Sequence, residues 1–88
     1  MYSRFHIYVK KGRGKRRTSL SIETVLANLL AIKLGYDPDT REAHSAVRLW
    51  LQEKQDEQNT PDLQTTLIKK YVILAIAQKR LLDKYLNK

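Results

Sequence analysis

The spacing of apolar residues changes once along this chain, at Ile22, and this change limits the folds that the chain can adopt. Before Ile22, apolar and polar residues alternate, and Phe5, Ile7 and Val9 share one face of a strand. After Ile22, apolar residues recur at the roughly 3.6-residue period of an α-helix. The sequence of 88 residues therefore predicts a single, mostly α-helical domain with a short N-terminal β-ribbon or hairpin.

Two glycines divide the N-terminal segment, residues 1–22, into two strands. Gly12 and Gly14 permit the positive φ angles that a tight reversal needs, so the first alternation ends there. The second alternation places Thr18, Leu20 and Ile22 on one face and Arg17, Ser19 and Ser21 on the other. The two strands form either one hairpin with a cationic tip or two separate ribbons.

Helical periodicity after the strands predicts three helices, over residues 23–35, 39–55 and 61–86. Gly35 is a residue type that commonly closes a helix, and Asp39 with Glu42 has the spacing of a capping box. Thr60 and Pro61 supply the hydroxyl and the proline that favour the start of the third helix. The apolar stripe of the first helix consists of Ile22, Leu26, Leu29, Leu30 and Leu34, with Val25 at its margin.

The middle of the third helix is apolar on almost every side, and a chain of 88 residues has little material to surround it. We therefore expect its centre to pack against another chain. The residues that we expect to make this contact are Leu67, Tyr71, Leu74 and Leu81.

Positive charge is concentrated in residues 1–22, where no Asp or Glu occurs. The whole chain has a net charge of +8, and residues 23–88 are almost balanced. A charge gathered at one end of a small chain predicts a docking surface for a polyanion, of which nucleic acid is the commonest. The cationic residues of this segment are Arg4, Lys10, Lys11, Arg13, Lys15, Arg16 and Arg17.

The order of a basic strand, a helix ending in Gly and a second amphipathic helix resembles the ribbon-helix-helix superfamily of DNA-binding proteins. Residues 16–23, followed by the Leu-rich helix, resemble the strand and first helix of that superfamily, and residues 40–51 resemble its second helix. The resemblance covers residues 15–54. It implies an intertwined homodimer in which one strand from each chain forms an antiparallel ribbon, and it implies a transcriptional regulator such as a repressor.

The resemblance also implies a role for each N-terminal residue. One face of the ribbon enters the major groove, where Arg17, Ser19 and Ser21 contact bases, while Leu20 and Ile22 join the dimer interface. The second helix of the superfamily usually presents its N-terminal amides to a phosphate, but here Asp37, Asp39 and Glu42 would repel one. The residues expected to contact phosphates are Arg4, Lys10, Lys11, Arg13, Lys15 and Arg16.

Other classes of function are limited by what the sequence contains. The absence of Cys excludes a disulfide framework and thiolate metal ligands, and no catalytic motif is present, so we expect neither an enzyme nor a metal or cofactor. The chain has no apolar run that could serve as a signal peptide or a membrane span, which favours a cytoplasmic protein without a membrane partner. Two alternatives remain: a protein-interaction module, antitoxin-like or adaptor-like, that works through the third helix, and an RNA-binding basic hairpin.

Overall fold

The computed structural model describes residues 1–77 and consists of a two-stranded hairpin followed by three helices. The prediction of a mostly helical domain with an N-terminal β-hairpin is confirmed, and the alternative of two separate ribbons is wrong. The elements are β1 (Tyr2–Lys11), β2 (Gly14–Glu23), α1 (Thr24–Lys33), α2 (Arg41–Glu57) and α3 (Thr65–Ile76).

The hairpin is closed by a two-residue turn at its tip. Lys11 pairs with Gly14, so Gly12 and Arg13 are the central residues of the turn. Gly12 has a φ of 57° and Arg13 has no positive φ, the pattern of a type II′ turn, which favours Gly at its first central position. The turn joins β1 and β2 as antiparallel neighbours within one chain. β2 is therefore paired with β1 of its own chain, which ends three residues before β2 begins, whereas the resemblance implied a strand of a second chain as the partner.

The inner face of the hairpin packs on the three helices and forms the core with them. Because side chains alternate between the two faces of a strand, every second residue from Phe5 to Val9 points inward and is buried. Leu20 and Ile22 are buried on the same face, with 0% and 1% of their surfaces exposed. The chain's own core thus encloses the two strand residues that were expected at a dimer interface. The helical residues of this core are Ala27, Leu30, Ala31, Ala43, Val47, Leu51, Ile68 and Val72.

Helix α1 is turned differently from the prediction. Its buried face is centred on Ala27, Leu30 and Ala31, which lie in the core shared with the hairpin and the other two helices. This orientation leaves Leu29 44% exposed and Val25 63% exposed, although Leu29 was expected in the inward stripe. The helix ends as predicted, because Gly35 has a φ of 92° and its N–H bonds the carbonyl of Ile32.

Helix α2 begins at Arg41 rather than at residue 39, because Thr40 is its N-cap. The Thr40 hydroxyl accepts a hydrogen bond from the Ala43 N–H at 3.1 Å, so the proposed capping box at Asp39 does not form. The helix extends two residues beyond the predicted end and stops at Glu57.

Helix α3 begins four residues later than Pro61, the predicted start. The buried side chain of Gln55 donates to the carbonyl of Asp62 at 3.0 Å and accepts from the Gln64 N–H at 3.0 Å. Thr60 Oγ1 accepts from the Asp62 N–H, a local turn that replaces the expected helix cap. These bonds hold residues 60–64 in an irregular path. The predicted continuation to residue 86, including the expected interface residue Leu81, lies outside the described residues.

Candidate nucleic-acid interface

The outer face of the hairpin, defined as the side of the sheet opposite the helices, brings together cationic and polar residues from both strands. The predicted base-contacting residues Arg17, Ser19 and Ser21 are all exposed there, as the alternation of β2 requires. The register pairs each of them with a residue of β1. The pairs of the outer face are Arg4 with Ser21, His6 with Ser19, Tyr8 with Arg17, and Lys10 with Lys15.

The centre of the outer face contains an aromatic residue and an arginine side by side. Tyr8 lies opposite Arg17, and both are exposed, Tyr8 by 44%. In the next pair, Ser19 Oγ lies 3.3 Å from Nδ1 of His6, within hydrogen-bond distance. This contact orients a serine that is short and otherwise free to rotate. The strands therefore present two donor-bearing side chains of β2, each beside a ring from β1.

His6 and Tyr8 were not predicted as site residues. Their place on the face opposite Phe5, Ile7 and Val9 follows from the alternation of β1, and the turn at Gly12 and Arg13 fixes which residue of β2 each of them opposes. Both signals are present in the sequence. The second becomes usable only once the hairpin is chosen over separate ribbons.

The predicted phosphate-contacting residues are all exposed, and they extend from the outer face around the tip. Arg4, Lys10 and Lys15 lie on the outer face, while Lys11 and Arg13 lie at the turn. Arg16 has the inward parity of Val9, its partner in the register, yet it is exposed near the tip. The predicted phosphate-contacting residues therefore form one exposed surface that covers part of the outer face and continues around the tip to the other side of the sheet.

The cations of this surface make no ion pair with a carboxylate of residues 1–77. In the described part of the chain, the ion pairs are Lys54 with Glu57 and Lys69 with Glu23, so no cation of residues 1–22 has a carboxylate partner there. Lys10 Nζ donates to Asn59 Oδ1 at 2.8 Å, which is a contact with a neutral group. A cluster of like charges without counter-charges raises the local potential and attracts polyanions.

A single side chain of α2 fixes the hairpin over the helices at its middle. Gln52 Oε1 accepts from the Tyr8 N–H at 2.7 Å, and Gln52 Nε2 donates to the Tyr8 carbonyl at 2.9 Å. The same Nε2 donates to Asp56 Oδ1 at 2.9 Å, which orients the amide. Gln52 thus satisfies both backbone groups of an edge-strand residue, as a neighbouring strand would. No signal in the sequence distinguishes this glutamine from the other polar residues of α2.

An ion pair joins the base of the hairpin, the end opposite the tip, to α3. Lys69 Nζ bonds Glu23 Oε1, and this hydrogen bond lowers the pKa of Glu23 and raises the pKa of Lys69. The second oxygen of Glu23, Oε2, is buried and has no hydrogen-bond partner within residues 1–77. At the same end, Ser3 Oγ and Thr24 Oγ1 lie 3.0 Å apart. These contacts place the hairpin base relative to the helices, while Gln52 holds its middle.

The acidic residues before and within the first turn of α2 remain where the sequence placed them. Asp37, Asp39 and Glu42 are exposed around the N-terminus of the helix. Their charges oppose the binding of a phosphate at this end. The N-terminus of α2 is therefore not a candidate phosphate site, and the hairpin remains the candidate anion-binding surface.

The residues predicted to make dimer contacts through the third helix have different environments. Leu67 and Tyr71 are half-buried on α3, whereas Leu74 is 55% exposed. Lys54 Nζ lies 5.8 Å from the centre of the Tyr71 ring, so that ring contacts α2 of its own chain. Of the predicted set on α3, Leu74 offers the largest free surface.

Comparisons of the chain with protein-family models, with curated proteins and with solved structures find no match. Over residues 1–77, no helix is both long and apolar enough to cross a membrane. The same residues contain no group of three or more His, Cys, Asp or Glu side chains placed to hold a metal ion.

Proposed function

We propose that this protein binds duplex DNA through the outer face and tip of its hairpin and acts as a transcriptional regulator. The observation that carries the proposal is the surface of seven cations without a carboxylate partner in residues 1–77, mounted on a two-stranded antiparallel ribbon. The major groove of B-DNA, about 12 Å wide, admits a two-stranded ribbon. Shape and charge therefore favour the same ligand.

The proposal gives different roles to the residues of the outer face. Arg17 lies at the middle of the ribbon, where a guanidinium can donate two hydrogen bonds to O6 and N7 of guanine. Ser19 and Ser21 follow on the same strand and add short polar contacts to base edges. Arg4 at one end and the lysines at the other flank these residues and hold phosphates, which contribute affinity without sequence information.

The proposal keeps the strand, helix, helix order of the ribbon-helix-helix superfamily but changes the origin of the ribbon. In the resemblance, each chain contributes one strand, whereas here β1 and β2 of one chain supply both. A single chain therefore carries a complete ribbon. A homodimer, which we also propose, would bring two such ribbons to one DNA site.

A binding titration of duplex DNA across salt concentrations tests this proposal. If a dimer neutralises about eight phosphates, log affinity should fall with log salt at a slope of roughly −7. Arg17→Ala should reduce sequence preference, while the double change Lys10→Ala with Lys11→Ala removes four cations from the dimer and should make the slope shallower by about four. Lys70→Ala, which removes an exposed cation from α3, serves as the control and should leave both quantities unchanged.

The result that would overturn the proposal is an affinity independent of salt, or no binding to any duplex at low salt. Structured RNA is the competing ligand, because the attraction of phosphates is common to both nucleic acids. The titration therefore includes a hairpin RNA at matched salt. Tighter binding to that RNA than to every duplex would replace DNA by RNA as the ligand.

A further inference from the structure

Helix α1 exposes an apolar stripe on the side opposite the core. Val25, Leu29 and Ile32 follow one another at the i, i+4, i+7 spacing of one helix face. Their exposed fractions are 63%, 44% and 57%, large values for aliphatic side chains. The buried face of the same helix lies about half a turn away, so the stripe points away from the hairpin and its core.

The residues of α1 are apolar on opposite sides of the helix, a composition typical of helices that are buried on both sides. Lys33, in the last turn, is the only charged residue between Thr24 and Lys33. A helix that is apolar all round normally has all of its faces buried, yet the described residues cover one side of α1 only. Helix α3, which packs against α1, also exposes two apolar residues, Ile73 by 45% and Leu74 by 55%.

We propose that the exposed stripe of α1 is the surface through which two copies of this chain form a dimer. The stripe itself carries no charge, so it offers nothing to a polyanion or a charged peptide. A second copy presents the same uncharged ridge, and a two-fold contact of α1 with α1 is self-complementary in the way that symmetric dimers require. A stable interface takes about 800 Å² from each chain, and Ile73 and Leu74 are further exposed apolar residues on α3, the helix that packs against α1.

The charge distribution favours this arrangement over pairing through the hairpins. The outer face and tip carry seven cations, and bringing two such surfaces together would place like charges side by side. The stripe of α1 lies on the side of that helix opposite its buried residues, which share a core with the inner face of the hairpin. A dimer formed there leaves both ribbons free, and the contact differs from an intertwined ribbon because each chain keeps its own hairpin.

The molar mass of the full chain in solution, measured by light scattering without nucleic acid, tests the inference. The wild type should have twice the 10.3 kDa mass of one chain at high micromolar concentrations. Ile32→Glu places a charge in the interface and should weaken the dimer by about tenfold or more. Leu49→Glu is the matched control, because Leu49 is 58% exposed on α2 and its change should leave the mass at that of the dimer.

A covalent test covers the case in which Ile32→Glu fails to fold. The chain has no Cys, so Leu29→Cys introduces a single thiol at the middle of the stripe. A short bismaleimide should link two copies of this variant into a covalent dimer much faster than two copies of Leu49→Cys. A monomeric wild type, a folded Ile32→Glu dimer of unchanged stability, or equal linking rates for the two thiols would each overturn the inference.

This inference assigns a surface to the homodimer of the proposed function, but no step of it requires DNA. A monomer that binds duplex DNA with a steep salt slope would disprove the dimer and preserve the DNA-binding proposal. A dimer that binds no nucleic acid would do the reverse.

Discussion

The two faces of the hairpin consist of equally spaced residues from the same strands, yet they differ in every contact they make. The inner face, which includes Ile7 and Leu20 with no exposed surface, packs on helices. The outer face, which includes Arg17 and Ser19, is exposed. The proposed function therefore places stability and binding on opposite sides of one two-stranded sheet. Each side should respond to substitution without the other.

The largest expected effect is on the inner face. Leu20→Ala removes a fully buried side chain between the hairpin and the helices and should lower the free energy of unfolding by about 2–5 kcal/mol. Ser19→Ala, its neighbour on the outer face, should change that free energy by no more than about 0.5 kcal/mol. Urea denaturation followed by circular dichroism measures both. Equal losses for the two variants would mean that the outer face is also packed.

The next effect is on affinity and concerns the tip. Arg13→Ala removes a cation at the turn of each chain without touching the core, so it should weaken duplex binding and reduce the salt slope of the dimer by about two. The urea midpoint should be that of the wild type. Arg41→Ala, an exposed arginine at the start of α2, is the control for loss of charge. An identical decrease in slope for both arginines would show that net charge, rather than the hairpin surface, determines binding.

A smaller effect is expected at Gln52, whose side chain joins α2 to the backbone of β1. Gln52→Ala removes two hydrogen bonds to the backbone of Tyr8 and should cost about 1–3 kcal/mol. The Tyr8 amide should then exchange its hydrogen faster, which NMR measures directly. Gln58→Ala removes a side-chain hydrogen bond to the carbonyl of Lys54, within the C-terminal turn of α2, and should leave the Tyr8 amide unchanged. Unaltered exchange in Gln52→Ala would show that the hairpin is held by its inner face alone.

The smallest effect depends on pH and on the ion pair at the hairpin base. Because Lys69 lowers the pKa of Glu23, this carboxylate stabilises the fold above its unfolded pKa, and the contribution is lost as pH falls through the folded pKa. Because Glu23 raises the pKa of Lys69, the contribution of that amine is present below its unfolded pKa and lost as pH rises through the folded one.

Lys69→Gln should therefore lower the urea midpoint at neutral pH, and its midpoint should converge with that of the wild type in acid, once Glu23 is protonated. The shift is small because both side chains are partly exposed. Lys70→Gln, the exposed neighbour, controls for the loss of one positive charge. A difference between Lys69→Gln and the wild type that persists undiminished in acid would show that packing, not the ion pair, accounts for it.

The sequence predicted the elements whose signals are local. Alternation identified both strands and their inward residues, and Gly35 identified the end of α1, because each depends on neighbours in the chain. The start of α3 was misplaced at Pro61, since the carbonyl and amide groups around it are held by Gln55, a tertiary contact that no local pattern reveals.

The orientation of α1 shows a second limit. Its residues are apolar on all sides, so periodicity could not specify which side faces the hairpin, and Leu29 was assigned to the core. The candidate site was more predictable, because Arg17, Ser19 and Ser21 needed only the alternation of β2. The pairing of Arg17 with Tyr8, and the hydrogen bonds from Gln52 to the Tyr8 backbone, could be seen only in the folded structure.

The most direct test of the central claim is to follow the backbone amides of the full chain by NMR while a duplex DNA is added at low salt. Binding through the outer face and tip predicts the largest shift changes in β1 and β2, at residues 4–21, with small changes in α2 and α3. Raising the salt concentration should reverse these changes. Shift changes concentrated on the helices, with the hairpin unchanged, would contradict the assignment of binding to this surface.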